Sequence, residues 1–148
     1  MWPYPCIASQ VDVYKSKTTR QRYQAALASL AFDGINTDES WVFHSTAHDN
    51  IIKIMCGGLC VGGEGGVAIK NGATYGNGVY AATGPATPMT YSTGRGTNQA
   101  VILARALHGR AGTRIGQGNS WPAKWDWWVF ADSAQLLPVY VVHIVKPS

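Results

Sequence analysis

Apolar positions recur along this chain with two periods, and the elements follow from them. In "TTRQRYQAALASLAF", residues 18–32, Tyr23, Leu27, Leu30 and Ala31 fall at helical spacing, with Thr18 or Thr19 as N-cap and Gly34 as the stop. Trp41-Val42-Phe43-His44 reads as a short strand. "HDNIIKIMCGG" reads as a second helix, capped by Asn50 or Asp49, with Ile51, Ile54 and Met55 facing inward and Gly57-Gly58 ending it. The glycine-dense stretch from Leu59 to Gly78 reads as loop, and Val79–Ala82 as a short strand. "ATPMTYSTG" carries a proline, Pro88, that suits a first helical turn. "AVILARALHG" is an apolar strand, and "RAGTRIGQGNSWPAKWD" a long connection. "WWVFADSAQLLPVYVVHIV" gives two last strands broken near Leu137-Pro138, the second alternating through Tyr140, Val142 and Ile144. Residues 1–14 are extended and interrupted by proline. One or two helices among five or more short strands without crossovers predict an α+β fold with antiparallel sheets.

Composition sharpens this picture. A chain of 148 residues with 46% hydrophobic and 14% charged residues is one globular domain, not a disordered segment. Seventeen glycines and six tryptophans fit a small-molecule cleft, where backbones approach a ligand closely and rings line it. The net charge of +4 comes partly from Lys15, Lys17, Arg20 and Arg22, which is either a solvated helix face or an attraction for an anionic partner. Cys56 and Cys60 sit at helical spacing, where thiols pack as small hydrophobes, and no second Cys/His pair has metal-ligand spacing. No apolar run reaches membrane-spanning length, and "MWPYPC" lacks the basic-then-apolar order of a signal peptide. The expectation is an intracellular monomer, cytoplasmic or nuclear, with no membrane partner.

Two strand ends carry the chemistry. Trp41-Val42-Phe43 delivers His44-Ser45-Thr46, three polar side chains in a row, and "YGNGVYAAT" at 75–83 ends a strand among glycines and tyrosines. With Asn50, "GGL" at 57–59, Tyr91 and "VFADSAQLLPVYVV", these motifs occur in order over roughly residues 40–145. The set resembles the catalytic domain of the poly(ADP-ribose) polymerase family, whose members are NAD-dependent ADP-ribosyltransferases. The resemblance implies an ADP-ribosyltransferase fold of two packed antiparallel sheets with a few flanking helices. It also implies one domain over 1–148, with a lead-in through residue 40 and a catalytic core after it.

Breaking the bond between nicotinamide and ribose passes through an oxocarbenium-like state, so such an enzyme must fix the leaving group and hold the sugars. By resemblance, the main chain of Ser45 bonds the nicotinamide carboxamide, and His44 holds the adenosine ribose with help from Thr46 and Asn50. Tyr91 stacks on the nicotinamide and Tyr80 walls the other side. Gly58, Tyr75 and Ala81 complete the NAD-binding set. The family's loop over the donor falls on residues 62–78, where Lys70 is within reach of a phosphate or simply solvated.

The departures matter as much. Counting back from Asp132, Ala134 and Gln135, the family's glutamate falls at Trp127. The nearest acid is Asp126, which serves only if a bulge shifts the register; otherwise Trp127 lines the pocket and Asp126 is a surface acid. The family's serine upstream of the stacking tyrosine falls on Pro88. The resemblance therefore implies transfer of single ADP-ribose units to an acceptor protein or nucleic acid. Two rivals stand beside it: an inactive module that binds NAD or ADP-ribose, and an RNA-modifying relative drawing on the basic N-terminus.

Overall fold

The computed structural model describes residues 7–45, 51–59, 75–84, 98–124 and 126–145. Its elements are β1 (Ile7–Val13), α1 (Lys17–Phe32), β2 (Glu39–Ser45), α2 (Ile51–Gly57), β3 (Val79–Ala82), β4 (Asn98–Leu107), β5 (Ser120–Pro122), β6 (Trp127–Phe130), a 3-10 turn (Ser133–Gln135) and β7 (Leu136–Val145). All strand pairs are antiparallel, in the order β1-β7-β4-β2-β3-β6-β5.

The ladder has a weak joint. β2 runs beside β4 for its whole length, from Glu39↔Leu107 to Ser45↔Val101, but meets β3 at the single pair Phe43↔Ala82. The joint divides the ladder into a four-stranded lobe, β1-β7-β4-β2, and a three-stranded lobe, β3-β6-β5. One apolar cluster holds the two lobes together: Val42, Ala104, Ala106 and Leu136 pack against Val79, Ala81 and Phe130. The two sheets that the sequence implies are thus two lobes of one antiparallel ladder, folded over a shared core.

Helix α1 starts earlier than its threonines suggest. Ser16, in an extended conformation, caps it by accepting from the Thr19 amide at 3.3 Å, while Thr19 turns its own hydroxyl back to the Ser16 carbonyl at 3.2 Å. The helix ends in a Schellman motif. Gly34 takes φ +69°, its amide bonds Ala31 O and the Ile35 amide bonds Leu30 O, and Ile35 packs beside Leu30. The buried face, Tyr23 and Leu30, lies on Leu107 and Leu137. Helix α2 places Ile51 and Met55 on Ala100, Ile102 and Val141, with Ile54 packed alongside. Among the described residues no helix is long and apolar enough to cross a membrane.

Three sequence expectations need correction. Residues 110–126 are not one connection, because β5 pairs Trp121 with Val129; a three-residue strand that includes a proline has too little alternation to read. The break between the last strands lies at Ala131–Gln135 rather than at Leu137-Pro138. Pro138 sits inside β7 opposite Ala104, where a register shift between Leu103 and Ala104 accommodates a residue without an amide hydrogen. Cys56 is exposed instead of packed, because the buried face of α2 belongs to Ile51 and Met55. Cys60, the N-cap of α2, the helix expected at Pro88 and most of the loop 62–78 lie outside the described residues.

The 3-10 turn gives a physical reason for "DSAQ". Asp132 and Gln135 form a capping box: Asp132 Oδ1 accepts from the Ala134 amide and Gln135 Oε1 from the Asp132 amide, both at 2.9 Å. The buried Gln135 amide nitrogen then donates to Leu107 O at 2.8 Å and Asn119 O at 2.9 Å, tying the end of the four-stranded lobe to the start of β5. Gln135→Leu would leave two carbonyls without this donor, each worth about 1–3 kcal/mol when buried. We expect a loss of on the order of 2–4 kcal/mol in stability, read as a lower midpoint of urea unfolding at unchanged slope.

Candidate functional site

The joint between the lobes is also where the candidate residues meet. Beyond Phe43↔Ala82 the two strands diverge, and His44 Nδ1 lies 2.9 Å from the Tyr80 carbonyl. A carbonyl only accepts, so Nδ1 carries the proton in this contact. Burial pushes the His44 pKa below the ordinary histidine value, outweighing the opposing effect of the Tyr80 bond. The imidazole is therefore neutral, with Nε2 as an acceptor.

Tyr80 is held at both ends. Its backbone is part of β3, and its hydroxyl accepts from the Tyr75 amide at 2.9 Å and donates to Gly76 O at 2.8 Å. Burial raises its pKa, so it stays a phenol. Gly76 turns at φ +95°, a conformation that a side chain would strain, and an added Cβ would come within 2.9 Å of Ile115 and 3.1 Å of Trp121. The indole N–H of Trp121 fixes the same turn by donating to Tyr75 O at 2.6 Å. Around Tyr80 the rings continue: Tyr75 at 6.5 Å between centroids, and Trp127 at 6.5 Å, edge-on at 73°. Tyr75, Tyr80 and Trp127 thus form one ring cluster, and the His44 imidazole meets the same strand through the Tyr80 carbonyl.

The register of β3 with β6 decides between Asp126 and Trp127. Val79↔Phe130, Tyr80↔Val129, Ala81↔Trp128 and Ala82↔Trp127 follow without a shift, so no bulge brings Asp126 into register. Trp127 shares the face of Tyr80 by strand alternation. Asp126 lies instead at the turn beside β3: its carbonyl accepts from Thr83 N at 2.9 Å and Thr83 Oγ1 at 3.2 Å, and its Oδ2 is 3.0 Å from where a Cβ on Gly84 would stand. The bulge on which a role for Asp126 depends is not present in this register.

Other expected residues scatter. Ala81 is buried in the core between the lobes, on the face opposite Tyr80. Gly58 closes α2 at φ +92°, with Arg22 and Thr19 as its neighbours. The Ser45 backbone continues β2 opposite Val101. Thr46, Asn50 and Tyr91 lie outside the described residues. Trp121 was not among the expected site residues. Its signal was a tryptophan between a glycine turn and a proline, which has no meaning until β5 is recognised. Among the described residues no group of three or more His, Cys, Asp or Glu side chains is placed to hold a metal ion.

No protein-family model matches this sequence, and neither does any curated protein. Solved structures do match. The TASOR pseudo-PARP domain superposes with a TM-score of 0.74 at 13% identity, covering 97% of this chain and 85% of that one. The PARP domain of Arabidopsis RADICAL-INDUCED CELL DEATH1 superposes with a TM-score of 0.72 at 12% identity, covering 97% of this chain and 89% of that one. At such identities the likeness shows the fold.

The partly buried histidines His44 and His108 predict a pH response. His108 sits edge-on to Trp128 at 4.7 Å, and burial lowers its pKa as it does that of His44. Both are depressed below their unfolded value, so the unfolded chain takes up protons first. Their contribution is complete above about pH 6.5 and is lost as pH falls from there through the folded pKa. Asp12, held low by Gln10 and His143, acts only in a more acid window. Thermal melts should show Tm falling as pH drops below about 6.5, and a shallower fall in His108→Gln. An unchanged pH slope in that variant would contradict the assignment.

Proposed function

We propose, from the premise that this chain carries the catalytic-domain fold of the poly(ADP-ribose) polymerases, that it transfers single ADP-ribose units from NAD to an acceptor protein or nucleic acid. NAD supplies the bond that breaks, between nicotinamide and ribose. The observation that carries the reading is the fork where the His44 imidazole meets the Tyr80 carbonyl at 2.9 Å. A neutral ring with Nδ1–H committed to that carbonyl offers Nε2 to a donor, which suits a ribose hydroxyl. Ser45, the next residue on β2, offers main-chain amide and carbonyl to the nicotinamide carboxamide. Tyr80 and Trp127 present ring surface to the cleft, where a cationic ribose carbon is favoured by an aromatic face.

Trp127 sets the product. It stands where the family's glutamate falls, and an indole accepts no proton from a ribose hydroxyl. A second ADP-ribose therefore has no activated nucleophile on the first, and growth stops at one unit.

A second reading has its own observation. The Tyr80 hydroxyl is already bonded to the turn at Tyr75 and Gly76, and the first solved structure named above is a pseudo-PARP domain. Both favour a module that binds NAD or ADP-ribose without turnover.

Incubation with NAD labelled in the nicotinamide separates the two. Released nicotinamide supports the transferase, and saturable binding with no release supports the module. Modified acceptor should run as a single shifted band, and a ladder of polymer would sink the single-unit reading. His44→Ala should weaken NAD binding roughly tenfold or more, as expected for one lost bond of about 1–3 kcal/mol. The same affinity in a variant with wild-type circular dichroism would exclude His44 from the donor site.

A further inference from the structure

The outer face of the four-stranded lobe carries an exposed aromatic and basic platform that the cleft does not use. Strand alternation and register put Trp41 and Phe43 of β2, Leu103 and Arg105 of β4, Tyr140 of β7, and Val11 and Val13 of β1 on one face. Val42, Ala104 and Val141 take the opposite parity and are buried in the core. Toward one end of the outer face Phe43 and Leu103 pack with the buried Val101 and Val142. Its middle is open: Trp41 is 41% exposed, Val11 53% and Val13 57%. The Trp41 and Tyr140 rings belong to strands separated by β4, about 10 Å apart, yet their centroids are 5.7 Å apart and their planes only 33° from parallel. They lean together over β4, and Arg105 places its guanidinium carbon 5.4 Å from the centre of the Trp41 ring.

We infer that this face binds single-stranded nucleic acid, with unpaired bases stacking on Trp41, Tyr140 and the Arg105 plane. Rings that lean together from β2 and β7 over β4, with a guanidinium beside them, suit bases that offer their faces, which a duplex does not. Charge complementarity selects this occupant. The one acid on this face among the described residues, Glu39, is engaged by the Tyr23 hydroxyl at 2.7 Å and lies 3.9 Å from Arg105. Asp12 projects to the opposite face, where it bonds Gln10 and His143. Val13 stands opposite Tyr140, and the Tyr14 amide bonds Val139 O, so the exposed Lys15 and Lys17 follow directly from the platform's edge. A phosphate backbone leaving the rings there meets lysines on a chain of net charge +4.

Fluorescence anisotropy with labelled single-stranded RNA and DNA tests this on the full chain. Binding should appear at low salt and weaken as salt rises. Trp41→Ala should reduce affinity at least about fivefold, and Trp41→Phe should retain most of it. Lys15→Gln and Lys17→Gln should each flatten the salt dependence by roughly 0.7 in log–log slope. Arg105→Gln gives an independent arm should Trp41→Ala fail to fold, and a weaker complex is expected there too. The inference falls if single strands do not bind at low salt, if duplex binds as well as single strand, or if the folded Trp41 and Arg105 variants bind like the parent. It also falls if a proline-rich peptide or a second copy of the chain, and not an oligonucleotide, changes Trp41 fluorescence.

Discussion

The bond from His44 to the Tyr80 carbonyl is the constraint around which the rest is arranged. The two lobes share one backbone pair, Phe43↔Ala82, so the geometry of the cleft rests on whatever holds the strands just past that pair. A side chain takes over there, at 2.9 Å, and gives the Tyr80 carbonyl a partner where the strands part. Burial keeps the ring neutral, and neutrality is what leaves Nε2 free to accept. The same residue thus sets the opening angle of the fork and its chemistry. Loosening one alters the other.

A polar clasp holds the far end as well. Gln135 spans Leu107 and Asn119, and the Ser120 hydroxyl donates to His108 O at 2.8 Å, so the lobes are tied where β4 ends and β5 begins. Arg22 adds a third tie, donating to Gly57 O at 2.9 Å and Ser133 Oγ at 2.7 Å, which fixes α1 to the end of α2 and to the 3-10 turn. Of the basic run near the start, Arg22 is therefore committed to structure, whereas Lys15, Lys17 and Arg20 remain exposed. Apolar burial between the lobes supplies attraction without direction. These few charge- and amide-donated bonds supply the direction.

What was legible in the sequence is what depends on near neighbours. α1, α2, β3 and β4 follow from spacing within one turn or one pleat, and the boundaries shift by a residue or two where a cap such as Ser16 competes with Thr18 and Thr19. The motifs "YGNGVYAA" and "VFADSAQLLPVYVV" are legible for the same reason, since each joins elements adjacent along the chain. Long-range partners were not legible. Nothing near Trp121 in the sequence indicates that its indole holds Tyr75, 46 residues away, and nothing near Gln135 indicates Leu107, 28 residues away. The choice between Asp126 and Trp127 needed the register of β3 with β6, since one residue of slip exchanges the two faces.

That same parity accounts for the unusual run Trp41-Val42-Phe43-His44. A strand with one solvated face alternates, but β2 has work on both faces and is apolar on both. Val42 enters the core between the lobes, Phe43 packs with Val101 and Val142 on the outer face, and Trp41 reaches Tyr140 over β4. His44 comes after these three, at the point where pairing with β3 has ended but pairing with β4 continues through Ser45↔Val101. A polar ring there is neither stranded in the core nor lost to solvent. It is held on one side by the rigid β4 ladder and presented on the other to the fork, which is why an apolar strand ends on a histidine.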